Sequence, residues 1–447
     1  MSIARVFVAN RGEIALRIVR ACRKLGLECV VGASAIDVDA PAARIADRVV
    51  CIGPAPPEQS YLRHDAVVHA ALATGCDAIH PGYGFLAENP RLAQVARDHD
   101  LRFVGPPTDV MALAGDKLHA RAAAADAGLP VVPGRGVAGP ADARAFADEW
   151  GYPVMLKAAG GGGGRGIKLV TEAAELDAVY PTAVAEARAA FGDERLYVER
   201  RIADARHVEV QVAAGDDGVT IHMGERDCSV QRRHQKLIEE ASAPFLPEAT
   251  RYAIRHAAVT FARAIGYRNL GTVEFLLDAG SGAHFFLEMN CRIQVEHPVT
   301  EAVTGRDLVA MQLEIAAGGP LGMAQRDVTI SGHAVECRLT AEDVSNGYRP
   351  SPGTITRFDV PDVPSLRVDT HCERGTVIPP HYDSLMAKLI GYGPERADAV
   401  EVVREALDGI RVEGVQTNRE LLASVLAHDD FARGAITTRW LEEAAVA

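Results

Sequence analysis

The chain has 447 residues, long enough for two to four domains with real cores. Its 48% apolar and 24% charged content is that of an ordinary globular protein. A net charge of -13 argues against a general binder of nucleic acid or of anionic membranes, so any anionic ligand must be held by a local cluster of cations. The eight cysteines form no CxxC pair, which argues against a structural zinc site or a disulfide framework. The N-terminus lacks the apolar core of a signal peptide, and no apolar run is long enough to span a bilayer, so a reducing cytoplasm is expected.

The opening predicts strand, turn, helix. Val6 to Ala9 is apolar, and Asn10-Arg11-Gly12 makes a turn. Ile14, Ile18, Cys22 and Leu25 recur at helical spacing, with Gly26 suited to the C-cap. Short apolar runs at Glu28 to Val31, Ala78-Ile79 and Phe103-Val104 alternate with Ala-rich segments, predicting an open α/β domain that ends near residue 114. One glycine in the first turn is too few for a GxGxxG dinucleotide fingerprint. Leu129 to Gly134 breaks an Ala-rich helix and predicts a hinge into a small inserted domain. That insert should carry a strand at Pro153 to Lys157 and another at Ile167 to Val170, and end near Glu199 to Ile202. A long helix from Pro247 to Ile265 follows, and a further α/β piece begins at Gly332.

Several segments carry chemistry. Lys157 to Gly166 is a cationic, glycine-rich loop between two strands, where backbone N–H groups can approach an anion; a phosphate-covering lid fits it better than a flexible linker. His207 to Val212 alternates strictly, with His207, Glu209 and Gln211 on one face, a face that in most strands simply meets solvent. Gln231 to Lys236, read as one alternating strand, is either a solvated charge run or part of a phosphate site. Glu274 stands inside an otherwise apolar strand, and a buried carboxylate needs a partner or a metal.

Glu288 to Pro298 is the most informative stretch. Glu288 and Asn290 should share one strand face as hard oxygen ligands for Mg²⁺. Arg292, Gln294 and Glu296 then offer a cation, an amide and a base to a small planar anion. Together these point to phosphate chemistry beside an anionic acceptor. Further on, Glu336 and Arg338 share a strand face and could merely pair with each other.

These pieces resemble the ATP-grasp superfamily and, more closely, biotin carboxylases. The resemblance rests on Ala9 to Ala15, His80 to Phe85, Gly115-Asp116-Lys117, the glycine loop, Gln231 to Lys236, Arg292 to Pro298 and Ala334 to Arg338, in order along essentially the whole chain. It implies an α/β ATP-grasp fold with a Rossmann-like N-terminal domain (1–114), an ATP-grasp domain (115–330) bearing a mobile lid at about 132–203, and a C-terminal α/β domain (331–447).

It also implies residue roles. Lys117, Lys157, Gly163, Gly164, His207, Gln231 and His234 would contact ATP, with adenine at the hinge Glu199, Arg200, Arg201 and Ile202. Glu274, Glu288 and Asn290 would hold two Mg²⁺ or Mn²⁺ ions, the two glutamates also serving the nucleotide. Lys236, Arg292, Gln294, Val295 and Glu296 would bind bicarbonate, with Glu296 as general base. Arg338, Tyr83 and Asp383 would border biotin, and Arg338 would stabilise its enolate.

The implied reaction is ATP-dependent carboxylation of biotin with bicarbonate through carboxyphosphate, as the first half-reaction of an acyl-CoA carboxylase. No Met-Lys-Met biotinylation site occurs, so biotin should arrive on a separate carboxyl carrier protein, with a carboxyltransferase subunit as a further partner and a homodimer as the assembly. Cys291, Arg200, Ala159 and Tyr348-Arg349 depart from the usual pattern without removing a catalytic group; Cys291 could pack as a small core residue or expose a thiol. The alternatives are another ATP-grasp ligase forming an acyl phosphate, or a non-catalytic nucleotide-binding regulator.

Overall fold

In a computed structural model of the chain, residues 3–161 and 166–444 are described. Gly163 and Gly164, assigned above to the nucleotide, lie outside the described residues.

The N-terminal part is a parallel sheet of five strands: β1 (Arg5–Val8), β2 (Glu28–Ser34), β3 (Arg48–Gly53), β4 (Ala78–His80) and β5 (Arg102–Phe103), in the order β3-β2-β1-β4-β5. Their apolar runs are continuous because both faces are covered; Val6, Phe7 and Val8 have no exposed surface. Helix Gly12–Lys24 follows the first turn as expected, and Gly26, at φ +70°, stands one residue past its C-cap Leu25. Strand β3, which the apolar pattern did not announce, is a half-exposed edge strand.

The inserted unit is an antiparallel sheet of β6 (Gly134–Val137), β7 (Val154–Ala158), β8 (Ile167–Val170) and β9 (Leu196–Arg200), in the order β6-β9-β7-β8. Helices Pro140–Trp150 and Leu176–Phe191 back it and share its own apolar core around Phe146, Leu156 and Val198. A separate core is what a unit able to move as a lid requires.

The largest sheet has eight strands. It runs from β14 (His284–Asn290) through β13 (Asn269–Asp278), β10 (Ala205–Ala214), β11 (Thr220–Arg232), β12 (Gln235–Ala241) and β15 (His333–Thr340) to strands Leu385–Gly393 and Leu366–Thr370. The β12–β15 pairing carries the sheet across the expected boundary at residue 330, so residues on both sides of it share one continuous surface. Helix Glu248–Ala264 begins directly after Pro247, close to the expected limits. Among the described residues, no helix is long and apolar enough to cross a membrane.

Two expectations fail here. Gln231 to Lys236 is not one strand but the tip of the β11–β12 hairpin: Arg233 and His234 have φ of +47° and +67°, and Arg232 pairs with Gln235. Positive φ at both central residues is what a two-residue hairpin turn demands. The polar face of β10 also does not meet solvent; His207, Glu209 and Gln211 are all buried.

Candidate active site

The register of the large sheet assembles the acidic residues. Glu209 on β10 lies opposite Glu274 on β13, and Glu274 lies opposite Glu288 on β14. Met289, between Glu288 and Asn290, turns the other way into the apolar core, as strand alternation requires. The Nζ of Lys236 donates to Glu209 at 2.6 Å, Glu296 at 2.7 Å and Glu274 at 2.9 Å. On the far side Lys117 reaches Glu288 at 2.5 Å. His207 Nε2 lies 3.1 Å from Glu274 Oε2, and Asn290 donates to Glu274 at 2.9 Å.

Lys236 therefore holds together three carboxylates that would repel one another without it. Lys236→Met should destabilise the fold by about 3 kcal/mol or more, because it leaves buried charges uncompensated. The shift of the denaturant midpoint measures this.

Glu296 is fully buried where the loop after β14 enters helix His297–Thr304. Burial works against its charge, but Lys236 and Arg338, with Arg226 behind them, hold its carboxyl well below the usual range. It is therefore an ionised carboxylate at neutral pH. Arg292 acts on Glu296 only by its charge, without a hydrogen bond; it donates to Glu88 at 3.0 Å, Gln294 at 2.9 Å and Asn290 at 3.0 Å. Arg292, Gln294 and Asn290 thus form a braced polar surface beside Glu274. Lys388 donates to the Val295 carbonyl at 2.9 Å and fixes the loop between them.

Arg338 does not pair with Glu336. It binds Glu296 at 2.8 Å and Glu239 at 2.5 Å, so it joins the base to the next strand. Tyr83 hydrogen-bonds Glu13, and Asp383 and Arg338 are both near enough to act on its hydroxyl electrostatically. Asp383 itself is exposed.

The residues expected to meet a nucleotide divide between the inserted unit and the large sheet. Lys157 on β7 pairs with Glu199 on β9, and Arg121 binds the other oxygen of Glu199 at 3.1 Å. Arg200 closes β9, with Arg201 and Ile202 leading to β10. His234, at the exposed hairpin tip, feels the charges of Lys157 and His207, so the tip faces the lid. Gln231 is buried and contacts the Cys228 carbonyl at 3.4 Å.

The oxygen-rich set Glu274, Glu288 and Asn290 suits a hard divalent cation. The ammonium groups on Glu274 and Glu288 show how strongly this surface attracts positive charge. Cys291 is buried, and burial pushes its thiol far up. It is a packed core residue, not a reactive one. Native-state alkylation should mark exposed Cys51 and spare Cys291 until the chain unfolds, read by peptide mass spectrometry.

Sequence reasoning passed over Arg226, Glu88, Glu239, Lys388 and Glu13. Arg226 is fully buried and binds Glu209 at 2.6 Å, Gln211 at 3.0 Å and Thr300 at 2.8 Å. The signal was present in two cases, since Arg226 and Lys388 are cations inside strands and such cations need buried partners.

The family models that match are the biotin carboxylase N-terminal domain over residues 2–111, the carbamoyl-phosphate synthase L chain ATP-binding domain over 116–324, and the biotin carboxylase C-terminal domain over 336–443. The biotin carboxylase of Pseudomonas aeruginosa is 47% identical over 99% of this chain and 98% of its own. The chain belongs to the biotin carboxylase family. Biotin carboxylase 1 of Bacillus subtilis is 45% identical over 98% of each chain. Among solved structures, the biotin carboxylase domain dimer of Hydrogenobacter thermophilus 2-oxoglutarate carboxylase, in complex with MgADP, ADP and bicarbonate, superposes with a TM-score of 0.96 at 43% identity. It covers 99% of this chain and 98% of that one. A Campylobacter jejuni biotin carboxylase in a β,γ-ATP complex gives the same score at 41% identity, covering 99% of each. The family's ATP-grasp fold is the one described above, with its parallel N-terminal sheet and antiparallel sheets elsewhere.

Proposed function

We propose that this chain uses ATP and bicarbonate to carboxylate biotin, with the residues of the large sheet dividing the work between phosphoryl transfer and carboxylation. The observation that carries the reading is the buried, ionised Glu296 held between Lys236 and Arg338. A binding protein has no need of such a base, and its two partners lie on opposite sides of it.

In this reading ATP lies between the lid and the sheet. Lys117, Lys157, His207, Gln231 and His234 serve its phosphates, and Glu199 to Ile202 serve its base; Gly163 and Gly164 would close over them. Glu274, Glu288 and Asn290 hold two magnesium ions, and manganese, with the same oxygen preference, substitutes for them. Such ions supply charge neutralisation on the transferring phosphoryl group. Lys117 and Lys236 are the groups that must leave these carboxylates and turn to phosphate and bicarbonate. Arg292, Gln294 and the Val295 backbone then orient bicarbonate against Glu296.

Glu296 takes the bicarbonate proton, and the resulting oxygen attacks the γ-phosphorus. Carboxyphosphate forms as the bond to ADP breaks. The mixed anhydride releases CO₂ and phosphate in a site the lid keeps dry. Biotin enters between Tyr83, Asp383 and Arg338. Its N1′ proton passes to that phosphate, Arg338 offsets the charge on the ureido oxygen, and N1′ captures CO₂.

The biotin is carried by a separate carboxyl carrier protein, and a carboxyltransferase subunit uses the product. A homodimer in the cytoplasm is the proposed working form. The three-part division at residues 114/115 and 330/331 is part of the proposal; the separate N-terminal sheet supports the first boundary, and the large sheet crosses the second. ADP release, measured with bicarbonate and then with free biotin added, tests the reading. Biotin should raise the rate. Turnover that needs ammonia or an amino acid instead would assign the chain to another kind of ATP-grasp ligase.

A further inference from the structure

Behind Arg338 the sheet carries a second pair of acids. Glu239 on β12 and Glu336 on β15 are direct cross-strand partners, and both are fully buried. Glu239 gives Oε1 to Arg338 and leaves Oε2 without a hydrogen bond, while both oxygens of Glu336 lack one.

Charged groups face this pair from each neighbouring element. They are Arg338 on β15, Lys388 on strand Leu385–Gly393, Lys236 on β12 and Glu296 at the head of helix His297–Thr304. Cys228 on β11 faces Glu239, and His297 lies beyond Lys388. No cation among these is free for Glu336. Arg338 is divided between Glu239 and Glu296, and Lys236 among Glu209, Glu274 and Glu296. Lys388 is engaged by Glu13 at 3.0 Å and by the Val295 carbonyl at 2.9 Å.

Two facing carboxylates with one shared counter-charge cannot both stay ionised cheaply in a dry interior, and a single proton between them removes the repulsion. Burial, with the neighbouring carboxylates adding to it, pushes Glu239 up to about 7 and Glu336 well above the ordinary range.

We propose that Glu239 and Glu336 form a proton-sharing dyad that positions Arg338, one proton lying between the two carboxyl groups while Glu239 supplies the charge that anchors the guanidinium. Glu336 is a positioning residue, since it makes no hydrogen bond to Arg338 and acts on it by charge from beside Glu239. The dyad rests on the reading of Arg338 as the group that faces biotin. With the proton in place, Arg338 is balanced between one charge at Glu239 and one at Glu296. Loss of the proton adds a second charge behind Arg338 and draws it off the biotin side. Because the folded-state pKa is raised, the proton is held below it and leaves as the pH rises through it, so the effect belongs to the alkaline limb of the pH profile.

Glu336→Gln mimics the protonated partner permanently. Wild-type biotin-dependent turnover should fall as pH rises through the dyad's pKa, and E336Q should lack that fall while keeping its KM for ATP within about twofold. Infrared spectra of the substrate-free protein at neutral pH should show the carbonyl band of a buried protonated carboxyl group that is lost in E336Q. E239Q leaves Glu336 buried without a cation, so it should keep that band but shift it, because the partner carboxylate is gone. If E336Q does not fold, the shift in E239Q decides the infrared test. An alkaline limb unchanged in E336Q, or a band that neither substitution removes or shifts, overturns the dyad. The infrared readout does not depend on catalysis, so a chain that shows the band but never responds to biotin contradicts the proposed function and not the dyad.

Discussion

Glu296→Gln is expected to lower bicarbonate-dependent ADP formation by about 10²-fold or more while nucleotide still binds, since a positioned general base contributes about 10²–10⁴ in rate. The argument is geometric. Glu296 accepts from Lys236 through one oxygen and from Arg338 through the other, so its charge is fixed in place before substrate arrives. Glutamine keeps the shape but cannot take a proton, and it faces both cations with one oxygen only. Steady-state ADP release, paired with calorimetric nucleotide titration, separates the loss of the base from a loss of binding. Wild-type turnover by E296Q would remove Glu296 from the reaction.

Arg338→Ala should behave differently. It leaves the nucleotide site intact, because the partners of Arg338 are Glu239 and Glu296 and not the residues beside the lid. ATP binding and the slow bicarbonate-dependent ATP cleavage should persist, while carboxylation of free biotin falls by about 10²–10³-fold, the usual cost of losing one donor to a developing oxyanion. Capture of labelled bicarbonate on biotin, measured beside ADP release, separates the two activities. Unchanged carboxylation of biotin would sink the role given to Arg338.

The contrast between these variants follows from the register of one sheet. Glu209, Glu274 and Glu288 line up across β10, β13 and β14, whereas Glu239 and Glu336 line up across β12 and β15. Glu296, Lys236 and Arg338 connect the two acidic rows. The proposed function gives phosphoryl transfer to the first row and carboxylation to the second.

Much of this was legible in the residue order. Alternation placed Glu288 and Asn290 together, and an apolar setting marked Glu274 as needing a partner. Other features depend on pairings that no local pattern contains. Gln231 to Lys236 looked continuous because its residues alternate, but nothing in that alternation marks the positive φ at Arg233 and His234 that folds it into a hairpin. Arg338 was within reach of Glu336 along its own strand, yet its true partners come from β12 and from the loop after β14. The polar face of β10 read as solvated because the groups that meet it come from other strands: Arg226 and Lys236 bind Glu209, and Glu274 lies beside His207. The cations that hydrogen-bond Glu296 were hidden for the same reason, since Lys236 and Arg338 are far from it along the chain and close in space.

Activation of bicarbonate by phosphoryl transfer is the centre of the account, and oxygen-18 bicarbonate tests it most directly. If the oxygen that attacks the γ-phosphorus comes from bicarbonate, breakdown of carboxyphosphate leaves that oxygen on phosphorus. One labelled atom should then appear in the phosphate formed in each biotin-dependent turnover. Phosphate that carries no label while carboxybiotin accumulates would contradict it.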